Sequence, residues 1–83
     1  MKFYVGEWSK KTDKPHGRGI CIKNDGILMQ YFKDGQPASG ECIRTYNDGK
    51  VDVGSKRRTD GNPKARFRGT TYHLDGSTQI FER

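Results

Sequence analysis

Apolar and polar residues fall along this chain in short runs of β type. The runs are KFYVGEW (2–8), RGICIK (18–23), ILMQYF (27–32), ECIRTY (41–46), KVDVG (50–54), ARFRGTTYH (65–73) and STQIF (77–81). No window carries apolar residues at i, i+3, i+4 and i+7 over three turns, and eleven glycines are scattered throughout, so helical signals are almost absent. The gaps between runs contain Gly, Asn, Asp or Pro. The pattern predicts an all-β chain of about seven short antiparallel strands joined mostly by tight turns.

Five Asp-Gly pairs punctuate the runs, at Asp25-Gly26, Asp34-Gly35, Asp48-Gly49, Asp60-Gly61 and Asp75-Gly76. Asp-Gly tolerates the two positive φ angles of a type I′ hairpin turn; Asn-Asp-Gly can instead form a type I turn followed by a left-handed glycine bulge. The choice moves the cross-strand register by one, and the two-residue Asp-Gly turn is the form expected. With the two-residue Asp-Gly turn at 25–26, Ile20 faces Tyr31 and Ile22 faces Met29, and four apolar side chains share a face. Gly26 and Gly49 lie 23 residues apart, and Gly49 and Gly76 lie 27 apart. Aligning these glycines superposes Ile20, Ile43 and Thr70, and likewise Ile22, Thr45 and Tyr72. One strand face therefore repeats as β-branched or aromatic, the mark of stacked hairpin units that lean on their neighbours.

The residues Tyr4, Gly6, Glu7 and Trp8, then His16 to Gly19, then Gly26 after six further residues, resemble the MORN repeat (membrane occupation and recognition nexus). Residues 4–35 carry the resemblance most fully. Later units depart from it: Cys42 stands where a glycine belongs, Met29, Asp52 and Gln79 where a tyrosine belongs, and Lys56 where an aromatic belongs. The resemblance implies an elongated, twisted single-layer sheet of hairpins. It also implies a non-enzymatic scaffold used in protein contacts, dimerisation and sometimes acidic-lipid binding. A ring in such a thin sheet must lie across a neighbouring strand, and a glycine opposite leaves it room. Tyr4, Trp8, Tyr31 and Phe32 beside Gly6, Gly17 and Gly19 suit this, either as core or as the lining of an exposed binding groove.

Residues 1–83 form one small domain, of which only 30% is hydrophobic, with a mean hydropathy of −1.03. So thin a core calls for support from a disulfide, a metal, a dimer or a larger assembly that supplies a missing face. The net charge of +6 favours an acidic partner. Cys21 and Cys42 form no C-x-x-C and cannot fill a zinc site alone. They read as reduced, partly buried thiols. The N-terminus lacks the apolar stretch of a signal peptide, and no run approaches a membrane helix, so a cytoplasmic protein is expected.

Candidate chemistry is sparse. Cys21 or Cys42 with His16 or His73 is the sole thiol–imidazole combination. It lacks a helix N-terminus to activate the thiol. The turn aspartates serve backbone geometry, Glu7, Glu41, Asp13 and Asp52 stand apart in sequence, and no calcium loop is present. No catalytic residue, metal or cofactor is expected. The segment KRRTDGNPKARFR (56–68) is different, since Lys56, Arg57, Arg58, Lys64, Arg66 and Arg68 meet one acid, Asp60. If its two arms pair across the central turn, the charges converge, with Arg66 and Arg68 on one strand face and Phe67 on the other. A second basic group, Lys10, Lys11, Lys14, His16 and Arg18, lies in a stretch that reads as a mobile loop. The sequence reading is a small adaptor or inhibitor docking on an acidic or hydrophobic protein surface. Homodimerisation would run through the open sheet edges at Phe3–Trp8 and Gln79–Phe81. Nucleic acid or anionic lipid bound through residues 56–68 is the second reading.

Overall fold

The computed structural model describes residues 3–57 and 66–83. They build one open antiparallel sheet. Its strands are β1 (Phe3–Ser9), β2 (Lys14–Lys23), β3 (Gly26–Lys33), the two-residue β4 (Gln36–Pro37), β5 (Gly40–Thr45), β6 (Val51–Arg57), β7 (Arg66–Tyr72) and β8 (Thr78–Glu82). The spatial order is β1-β2-β3-β5-β6-β7-β8, with β4 folded back on β3. This is a ladder of hairpins, 45 × 28 × 16 Å, and the shortest dimension is that of one layer. β1 and β8 are its open edges, as the sequence implies.

Local chemistry sets each turn differently. At Lys33–Gln36, Asp34 (φ 49°) and Gly35 (φ 82°) form the two-residue type I′ turn. The loops at 46–50 and 73–77 take the bulged alternative. Gly49 N–H donates to the Tyr46 carbonyl and Gly76 N–H to the His73 carbonyl, both at 3.0 Å. Gly49 (φ 93°) and Gly76 (φ 88°) are left-handed. The aspartates add a second restraint: Asp48 Oδ1 accepts Lys50 N–H at 3.1 Å, and Asp75 Oδ1 accepts Ser77 N–H at 2.8 Å.

The β2–β3 turn corrects the expected register. Its central residues are Asn24 and Asp25, so Ile20 pairs with Met29 and Ile22 with Ile27, instead of with Tyr31 and Met29. Gly26 belongs to the strand because it passes against the β5 backbone, where a Cβ would collide with the Thr45 carbonyl. The slip preserves the period of two, so Ile20, Ile22, Met29 and Tyr31 still share a face. A second correction concerns residues 14–18. They extend β2, with Lys14 opposite Ser9 and Pro15 opposite Trp8, leaving only residues 10–13 as the β1–β2 turn.

The seam between β3 and β5 is short, with Leu28 opposite Arg44 and Met29 opposite Ile43. Side chains extend it. Thr45 Oγ1 accepts Ile27 N–H at 3.0 Å, Asn47 Nδ2 donates to the Asn24 carbonyl at 2.6 Å, and Arg44 pairs with Asp25 at 3.0 Å.

Candidate functional site

The two faces of the sheet have opposite characters. On one face lie the buried residues Cys21, Leu28, Phe32, Cys42 and Phe67, with Tyr4 and Phe81 packed against them. Glycines make this face shallow enough for rings to lie flat: a Cβ on Gly19 would run into the Tyr4 ring. Tyr4 meets Phe32 edge-on at 5.2 Å and Trp8 at 5.3 Å, and Phe67 meets Phe81 at 4.7 Å. Trp8 sits at the margin, 54% exposed.

The same face carries polar groups, each with a partner. Asp52 is fully buried and accepts hydrogen bonds from Tyr46 (2.7 Å), Thr71 and Arg83 (3.2 Å). Burial pushes its carboxyl up, but the bonds from Thr71, Tyr46 and Arg83 outweigh this and hold it below the ordinary carboxylate range. Lys56 donates to Gln30 Oε1 at 2.8 Å and lies 5.8 Å above the Phe67 ring; burial pushes its ammonium pKa down. Burial also pushes the Cys42 thiol up, away from a reactive thiolate. Among the described residues, no buried side-chain nitrogen or oxygen lacks a partner.

The other face is open, yet it carries the β-branched residues that repeat along the sequence. The paired positions Val5, Ile20, Met29, Ile43, Val53, Thr70 and Ile80 form one row across seven strands. Beside it run Phe3, Ile22 and Ile27, then Thr45, Val51, Tyr72 and Thr78. Exposure is high for apolar side chains, at 60% for Val5, 40% for Val53 and 86% for Ile80. A groove of about 480 Å³ opens here, lined by Val5, Ile20, Met29 and Ile43, with Glu7, Arg18, Tyr31 and Glu41 along one side. Arg18 donates to Tyr31 Oη at 2.8 Å, and Glu7 Oε1 accepts Arg18 N–H at 2.8 Å.

The structure separates the sequence-proposed site residues. Tyr4, Trp8 and Phe32 belong to the covered face and Tyr31 to the open one, so they form no single aromatic groove. Arg57, opposite Arg66, and Arg68 lie on the open face. Arg66 and Arg68 approach Glu82 at 3.9 and 3.8 Å. Lys56 leaves this group because strand alternation turns it to the covered face. Arg58, Lys64 and the Asp60-Gly61 turn lie outside the described residues. Cys21 and His73 are not brought together: Cys21 is on β2 and His73 follows β7, with β3, β5 and β6 between them. Among the described residues no three His, Cys, Asp or Glu side chains gather to hold a metal ion.

No protein-family model matches the chain, and no curated protein or solved structure matches it. Function therefore rests on the two faces.

Proposed function

We propose that this protein is a non-enzymatic, MORN-like interaction module, an adaptor or inhibitor that docks its open sheet face on another protein. The observation that carries the reading is the exposed apolar row from Val5 to Ile80. Contiguous apolar surface of this kind marks an interaction site when the opposite face already forms the core. Arg57, Arg66 and Arg68 border the row on the same face, so a partner with apolar side chains flanked by carboxylates fits it. Apolar contact would supply most of the affinity and the arginines orientation and on-rate.

The test is capture of partners from the native host by the immobilised chain, with nuclease treatment, at low and high salt. A protein retained at high salt and lost with Val53→Lys is the expected result. The juxtaposed Arg57 and Arg66 favour nucleic acid or anionic lipid as the second reading. Capture that collapses with salt, survives Val53→Lys and fails with Arg57→Glu/Arg66→Glu would replace the first reading with that one.

A further inference from the structure

We infer that the open face is covered by a second copy of this chain, packed face to face about a two-fold axis that bisects the two copies' strand directions and passes between β5 and β6. The inference rests on the reading of that face as a docking surface, and it names the occupant in the isolated chain, a second copy that the protein partner would displace. Size is the first argument. The sheet measures 45 × 28 Å in its plane, whereas a stable interface needs about 800 Å² per partner. Two copies also share one twist by construction, and sheets of equal twist pack aligned at about 30°.

In the apolar row and the polar row beside it, the side-chain pattern is self-complementary about that axis and not about the neighbouring one. Turning a copy about it sets β5 over β6, β3 over β7 and β2 over β8. In the apolar row, Ile43 then meets Val53, Met29 meets Thr70 and Ile20 meets Ile80. In the flanking polar row the same operation sets Glu41 on Ser55, Tyr31 on Arg68 and Arg18 on Glu82. These are hydrogen-bonding, cation–π and ion pairs. An axis through β5 itself would instead set Glu7 on Glu82 and Arg18 on Arg68, like charge on like. With strands about 4.8 Å apart, the 30° rotation displaces the β2–β8 pair by roughly 6 Å. Arg and Glu side chains span that distance.

Shape agrees with charge. Ile80 projects from the edge strand, 86% exposed. The groove opens on the opposite half of the face and includes Ile20 in its floor. The operation that sets β2 over β8 brings each copy's Ile80 to the other's groove. Both contacts form together, so the assembly closes as a dimer.

Sedimentation velocity on the full chain, from low micromolar to about 200 μM, reads the result, alongside a thermal melt of each variant. Wild type is expected to be a dimer. Ile80→Lys, at a side chain with almost no intramolecular contact, should weaken dimerisation more than tenfold with an unchanged melt. Arg18→Glu should weaken it, and adding Glu82→Arg should restore it. A wild-type monomer at 200 μM overturns the inference, as does a dimer indifferent to Ile80→Lys, which would place the contact at the sheet edges. Failure of the charge exchange to restore pairing overturns the β2-over-β8 register. A wild-type monomer whose partner capture is still lost with Val53→Lys sinks the self-pairing alone and leaves the interaction module standing.

Discussion

At the scale of single residues, Asp52 is the most constrained side chain. It is an acid in an apolar layer, tolerated because two hydroxyls and a guanidinium meet it. Asp52→Ala strips three donors of their acceptor and should destabilise the fold by about 3 kcal/mol in urea denaturation. Its pH signature has a definite sign. The folded carboxyl lies below its unfolded value. The stability it contributes is therefore complete above about pH 4 and is lost as pH falls through the lower folded value. Asp52→Asn should flatten the fall in stability below about pH 4, and an acid limb identical to wild type would contradict this. None of the network was legible in the sequence. Thr71 and Arg83 are 19 and 31 residues away, and only β7 and the end of β8 bring them to Asp52.

At the scale of elements, turn chemistry is local and was largely readable. Gly49 at φ 93° leaves no room for a branched side chain, and Gly49→Val should cost about 2 kcal/mol. Asp48→Asn should stay within about 0.5 kcal/mol, because an amide oxygen still accepts Lys50 N–H. The exception was Asn24-Asp25-Gly26. The turn formed there, Asn24-Asp25, is neither of the two expected, and it sets Gly26 in the strand, where the Thr45 carbonyl of β5 leaves no room for a side chain. Thr45 also lends its hydroxyl to Ile27 N–H, so Thr45→Val should cost about 1 kcal/mol. It should also raise hydrogen exchange at Ile27 selectively. A uniform rise along the sheet would show that the hydroxyl does not brace the seam.

At the scale of the whole molecule, a single layer cannot bury both of its faces. The chain covers the one where glycines let Tyr4 and other rings lie flat, and leaves the β-branched one to solvent. The β3–β5 seam is the ladder's shortest junction. Exchange protection should therefore be lower for β3 and β5 amides facing the seam than for those between β6 and β7, where pairing runs unbroken from Val51–Tyr72 to Arg57–Arg66. Protection equal on both sides would mean that the side-chain braces complete the seam.

The sequence by itself determined the all-β class, most strand positions, the turn sites and the period that assigns each residue to one of two faces. These follow from alternation and from glycine and aspartate chemistry within a few residues. It also put Arg66 and Arg68 on one face and Phe67 on the other, since strand geometry alone dictates that. Which face became the core was decided only by tertiary structure. The repeated Ile, Val and Thr positions have the higher β propensity, but burial depends on what can lie over them. Tyr4 crossing to Gly19 is a contact between strands, invisible in either one. Strand alternation turns Lys56 away from the arginines beside it in sequence, and tertiary packing sets it against Gln30 and over the Phe67 ring.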